Sequence, residues 1–211
     1  MATLPEPIVS GLVPSRSPAA LVSPSSTDAD VVYVSFGPGS ISAGRSLLIR
    51  NLRTGWSETE PLVDGGLDPV PIPAQVGDTL RLVATDSAGN SAAYVSLVKP
   101  LKPPVVVRTV PPQRKTDVPL NAAIVVVFSE PMDSVTVDSS TILLRHAGVA
   151  DSGRVTLSGD RLVATFTPDR PLAPLAVYDL IVTSGVHDQS GMAMDPSLIV
   201  QFSTADATSL I

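Results

Sequence analysis

Few residues in this chain could carry chemistry. His146 and His187 are the only histidines, and there is no cysteine. His187 is followed by Asp188, which offers the base and the acid of a Ser-His-Asp constellation. A triad is defined by geometry in space, and sequence neighbours on extended chain point to opposite faces. The pair therefore reads as part of a solvent-exposed turn rather than as a hydrolytic centre. Without cysteine there can be no disulfide, thiolate metal site or cysteine nucleophile.

Asp86-Ser-Ala-Gly-Asn90 and Asp188-Gln-Ser-Gly191 are similar D-x-x-G loops. In one reading they are turns. Aspartate accepts hydrogen bonds from nearby backbone N–H groups, and Gly or Asn takes up positive φ. In the other they hold calcium, which needs six to eight oxygens. Asp188 and Asp195 could bring two carboxylates to one ion, although the spacing of an EF-hand is absent. The turn reading is the expected one, and no other cofactor is implied. Trp56 is the only tryptophan and sits in a polar stretch. It is either a core residue or an aromatic contact for a sugar or protein ligand. Glu130-Pro131-Met132-Asp133 could pass for an acidic site. Pro131 cannot donate to a β-ladder, so the segment reads as a strand terminator.

The elements that hold these residues must be strands. Hydrophobic residues make up 44% of the chain and charged residues 16%, too apolar for a disordered chain. Many apolar residues are β-branched and come in short runs, which suits a pleated sheet. The 21 prolines and 14 glycines are scattered and force short elements. The net charge of −6 and the lack of a basic cluster argue against nucleic acid and anionic membranes as partners. Residues 1–14 lack the basic and apolar regions of a signal peptide, and no apolar run reaches the roughly 20 residues of a membrane helix.

Residues 1–28 read as a Pro/Ser-rich lead-in, with one early strand around Ile8–Val13. A first module is expected over residues 29–100. Val31–Phe36, the alternating Leu47/Ile49/Asn51 set, a polar edge strand at Trp56–Leu62, the segment Asp78–Asn90 with Leu80, Leu82 and Ala84 facing in, and Ala92–Lys99 are its strands. Gly37–Ser40, Thr54-Gly55 and Asp64-Gly65-Gly66 supply its turns. Residues 101–104 form a linker within Lys99–Pro104, where consecutive prolines favour extended, semi-rigid chain. A second module is expected over residues 105–206. Ile124, Val126 and Phe128 share one face of its strongest strand, with Val125 and Val127 on the other, so that strand is central or covered. Arg154–Pro168 reads as a hairpin turning at Ser158-Gly159-Asp160. A short helical turn could lie near Ser134–Ser140. The fold class is all-β, as two tandem sandwiches, since short strands at 8–12-residue spacing with Gly/Pro punctuation are the sandwich signature.

The second module resembles the bacterial Ig-like domain family first described in S-layer proteins. The resemblance is carried by Asp117-Val118-Pro119, Phe128-Ser129-Glu130-Pro131-Met132-Asp133, and Thr165-Phe166-Thr167-Pro168 with Pro171-Leu172. Tyr178, then Gly185-Val186-His187-Asp188-Gln189-Ser190-Gly191, and Phe202-Ser203-Thr204 complete the order. Met192 departs from the Asn often found after that glycine. The first module resembles, more loosely, Ig-like repeats of bacterial surface proteins, through Gly37–Gly44, Asn51–Gly55 and Val76–Asn90. The resemblance implies an extracellular or cell-surface, non-catalytic module that spaces, presents or adheres. Its partners would be other domains of the same polypeptide or other surface proteins. The competing expectation is a carbohydrate-binding accessory module of a secreted enzyme, with Trp56 touching glycan. A self-formed Lys–Asn crosslink, known in other surface Ig-like folds, needs a core lysine. Lys99, Lys102 and Lys115 all lie at or near the linker.

Overall fold

The computed structural model describes residues 4–13 and 30–207. The chain divides into two compact units, Met1–Lys102 and Pro103–Ile211. All regular structure among the described residues is strand. The Ser134–Ser140 stretch is turns, not helix.

The first unit holds β1 (Ile8–Val9), β2 (Val31–Phe36), β3 (Gly44–Asn51), β4 (Ser57–Pro61), β5 (Leu67–Pro73), β6 (Thr79–Asp86) and β7 (Ser91–Leu97). They form two antiparallel sheets, β1-β2-β5 and β4-β3-β6-β7. Alternation places Val32 and Val34 of β2, Leu47 and Ile49 of β3, and Leu80 and Leu82 of β6 in one buried core. Part of the expected lead-in belongs to this sandwich. Ile8 and Val9 pair with Ser35 and Val34, and Val13 bridges Val31. The rest of the lead-in, residues 14–28, lies outside the described residues.

Strand β5 was not expected, because its sequence, Leu-Asp-Pro-Val-Pro-Ile-Pro, carries prolines at alternate positions. The alternation is what permits the strand. Val32 pairs with Ile72 and Val34 with Val70. The backbone groups of Val31 point the other way, exchanging hydrogen bonds with Val13 at 2.8 and 3.0 Å. Residues of β5 at even positions therefore face β2. Pro69, Pro71 and Pro73 all lie at odd positions, where a missing N–H faces the open edge and costs no ladder bond.

The second unit holds β8 (Val106–Val110), β9 (Ile124–Phe128), β10 (Ile142–His146), β11 (Val149–Ala150), β12 (Gly153–Leu157), β13 (Val163–Pro168), β14 (Val177–Val182) and β15 (Leu198–Ser203). The sheets are β12-β13-β9-β8 and β11-β10-β14-β15. This is the Ig constant-type arrangement with one extra edge strand. The second sheet of the first unit, β4-β3-β6-β7, has the same order, with β4 in the place of β11, but among the described residues its first sheet has no counterpart of β12 and so holds three strands.

β9 is a central strand, which explains its two apolar faces. Ile124, Val126 and Phe128 enter the core together with Ile142, Leu144, Phe166, Leu180 and Phe202. β12 and β13 form the expected hairpin, from Gly153↔Pro168 to Leu157↔Ala164. Its loop spans residues 158–162, and the positive φ falls on Arg161 (62°) rather than on Gly159. The Asp160 carboxylate accepts the Leu162 N–H at 3.1 Å, so the aspartate shapes this loop. The edge strand β15 is not bare. Arg114 N–H donates to Gln201 O, and Ser203 N–H donates to Lys115 O.

Candidate functional site

The most connected polar site lies at one end of the first unit, where β5 turns into β6. Asp78 is 2% exposed. Its Oδ2 accepts from Asn51 Nδ2 (2.7 Å), Gln75 N (3.0 Å) and Arg53 Nη2 (3.0 Å), and its Oδ1 accepts from Arg53 Nε. Asn51 is fully buried at the inward end of β3. Its amide donates a second bond to Pro73 O (3.1 Å), and its Oδ1 accepts from the N–H groups of Arg53 and Thr54. The Pro73 carbonyl, on the unpaired side of β5, thus finds its partner in Asn51. The Arg53 side chain holds the Asp78 carboxyl well below the usual carboxylate range, helped by Asn51 and Gln75 and opposed by burial. Every donor and acceptor here serves the fold. The site ties the β3–β4 hairpin, the end of β5 and the start of β6 into one corner.

The equivalent corner of the second unit uses an aromatic residue. Tyr178, 2% exposed near the start of β14, accepts the Ala173 N–H through its hydroxyl at 2.9 Å. Its ring stacks on Phe202 with centroids 5.7 Å apart and lies 5.1 Å from the His146 ring. This is the tyrosine corner of Ig-like sandwiches. Replacing Tyr178 by phenylalanine keeps the stack and orphans the Ala173 N–H, so about 1–2 kcal/mol of stability should be lost in urea melts.

The two D-x-x-G loops are built from their own aspartates. Asp86 Oδ1 accepts from Ala88 N and Asn90 N, and its Oδ2 accepts from Asn90 Nδ2 at 2.9 Å. Asp188, 4% exposed, takes Ser190 N, Ser190 Oγ and Met192 N on Oδ1 at 2.7–2.8 Å. Gly89 and Gly191 carry φ of 83° and 85°. Asp195 is exposed and precedes the cis Asp195–Pro196 bond. Among the described residues no three His, Asp or Glu groups gather as metal ligands. The expected melting temperature is the same in 1 mM calcium and in EDTA. A calcium-induced rise of a few degrees that Asp188→Asn abolishes would instead mark a weak structural site.

The remaining candidates also have structural neighbours. Trp56 is half-buried against the first core, and its carbonyl accepts the Asn51 N–H at 2.9 Å. His187 is half-buried. Its backbone donates to Thr136 Oγ1 and accepts from Asp133 N. Glu130-Pro131-Met132-Asp133 does more than end β9. Met132 is fully buried, donates to Arg161 O and bridges Asp188. A cleft of about 570 Å³ in the first unit is lined by Leu4, Ile41, Thr85, Asp86 and Asn90 among others, with Asp86 as the only ionisable group among the described lining residues. That carboxylate is already held by its own loop.

The motifs that drew attention in the second module meet in space as three mated pairs. Val118 of Asp117-Val118-Pro119 bridges Thr204 of Phe202-Ser203-Thr204. Met132 and Asp133 join Asp188 and His187. Ala173, just past Pro171-Leu172, donates its N–H to the Tyr178 hydroxyl. These contacts close the two ends of the sandwich.

No curated protein matches the chain. Among solved structures, the chain is similar to the S-layer protein rSbsC, at 19% identity over 49% of this chain and 14% of that one, TM-score 0.39. It is similar to the BSP domain of a biofilm-associated protein, at 20% identity over 84% of this chain and 28% of that one, TM-score 0.39. A third likeness is to the Bacteroides ovatus protein SGBP-B, solved with a mixed-linkage heptasaccharide, at 16% identity over 83% of this chain and 41% of that one, TM-score 0.28. The chain thus spans only a small part of these proteins. The family model of the bacterial Ig-like domain covers residues 101–204, running the length of the second sandwich and taking in all three mated pairs. Residues 101–204 form a bacterial Ig-like domain.

Proposed function

We propose that this chain is a non-catalytic structural and interaction segment of a larger bacterial surface or secreted protein, where it spaces and presents neighbouring domains. The observation that carries this reading is the use made of its polar groups. Asp78, Asn51, Asp86, Asp188 and Tyr178 all bind the protein's own backbone or side chains at sandwich ends. Such groups stiffen a module and position no substrate. The bacterial Ig-like domain at residues 101–204 agrees with a surface location. The test is placement. In intact cells of the producing bacterium, antibodies against the two units should label the surface, and external protease should remove the signal. Protection of both units in intact cells, with digestion only after lysis, would contradict the reading. A glycan-binding role through Trp56 would use a residue that already packs against the first core. A glycan array with the protein and Trp56→Ala decides that alternative.

A further inference from the structure

The sheet edges of the first unit are not treated alike. The β5 edge is closed to strand addition by Pro69, Pro71 and Pro73. On β4, Glu58 and Glu60 pair with Ile49 and Leu47, so two charges lie on the inward-facing side of that edge. β1 is only two residues long. β7 is seven residues long and contains neither proline nor charge. Asp86 N–H donates to Asn90 O at one end of β7, and Val98 N–H donates to Asp78 O at the other. Between them Ala92, Tyr94 and Ser96 pair with Ala84, Leu82 and Leu80, so their backbone groups face β6. The N–H and C=O groups of Ala93, Val95 and Leu97 therefore point away from the sheet.

The outer face beside this edge carries its own signal. Arg50 on β3 stands directly opposite Arg81 on β6, and Arg81 stands opposite Val95 on β7. Both arginines are exposed, and neither makes an ion pair among the described residues. Directly opposed like charges oppose sheet formation. Leu48, Val95 and Leu97 on the same face are 38%, 57% and 57% exposed. Among the described residues no acidic side chain of these strands shares this face, in a chain of net charge −6.

We propose that the β7 edge receives an extended acidic segment of a partner polypeptide. The segment pairs with the outward backbone groups of Ala93, Val95 and Leu97 and turns its carboxylates toward Arg81 and Arg50. The charge pattern selects this occupant. A second copy adding its own β7 would extend the face with two more arginines. A carboxylated polysaccharide would satisfy the arginines and leave the backbone edge unused. The proposal rests on the reading of the chain as an interaction module. Its failure would leave the spacer role standing, because surface placement tests that role separately.

The parity of β7 supplies a clean test. Residue 95 directs its N–H outward, so Val95→Pro removes the docking donor and no bond to β6. The probe is a short end-capped peptide alternating valine and glutamate, titrated into the full chain, with a valine–lysine peptide as control. The glutamate peptide should bind, should weaken as salt rises, and should exceed the lysine peptide by at least about tenfold. Val95→Pro should lower its affinity by at least about tenfold. Arg50→Ser with Arg81→Ser, on an exposed face, should do the same without disturbing the ladder. Equal binding of the two peptides, or full binding to Val95→Pro, would overturn the proposal. So would dimerisation of the chain that Val95→Pro abolishes, or retention of polygalacturonate by Val95→Pro together with loss of the peptide's arginine dependence.

Discussion

Replacing Phe128 by alanine is expected to lower the unfolding free energy of the second unit by roughly 3–5 kcal/mol. Phe128 ends the central strand β9, is fully buried, and lies in the same core cluster as Phe166 and Phe202. Truncation removes buried apolar surface and leaves a cavity that β9, hydrogen-bonded to β13 on one side and β8 on the other, cannot collapse to fill. A marginally stable module of this size holds only about 5–15 kcal/mol in all. The chain carries its own control. Trp56, the only tryptophan, sits in the first unit. In a urea melt the far-ultraviolet β signal should gain an early transition, while the tryptophan transition stays in place. A change at the exposed Val135 should move neither. A near-neutral Phe128→Ala would mean that β9 turns its other face to the core.

Asp78→Ala should act on the opposite reporter. It removes the acceptor of Asn51, Gln75 and Arg53 at a corner that is almost dry. Arg53 is half exposed and water can replace its partner. The N–H of Gln75 and the buried Asn51 amide are less easily rescued. The expected loss is about 2–4 kcal/mol, read as a shift of the Trp56 transition with the second unit unchanged. Because folding holds the Asp78 carboxyl below the ordinary aspartate value of about 3.9, its contribution is complete above that pH. It is lost as pH falls further, toward the folded value. The stability gap between the protein and Asp78→Asn should therefore narrow in acid. A gap that stays constant from pH 6 to pH 2 would mean that the carboxylate charge contributes nothing.

Strand alternation exposed most of the fold to a reading of the sequence alone. Val32/Val34, Leu47/Ile49, Ile124/Val126/Phe128 and Leu180/Val182 all face inward as their period of two requires. β5 escaped because proline counts against a strand unless the parity of its positions is tested against one edge. All three prolines share a parity, which is the signal that was there to find. Asn51 alternates with Leu47 and Ile49, yet its role was not legible. Its partner Asp78 lies 27 residues away, and nothing in the local pattern joins a buried amide to a distant carboxylate. The turn reading of the D-x-x-G loops depended on local hydrogen bonds and was accessible for that reason. Glu130–Asp133 was read as a strand ending, whereas Met132 continues into the core and pairs with Asp188, a contact made across 56 residues of chain.

The two sandwiches are expected to be self-sufficient folding units. Cutting between Leu101 and Lys102 and melting each half beside the whole chain tests this. Each core cluster draws on residues of one unit only, which is why the halves should stand alone. Both halves should give cooperative transitions with β-sheet circular dichroism. The Trp56 transition of the first half should overlay that of the intact chain, and the two melts should sum to the full curve. A second half that is unfolded by itself, or a Trp56 transition displaced by removing it, would mean that the two units depend on each other to fold.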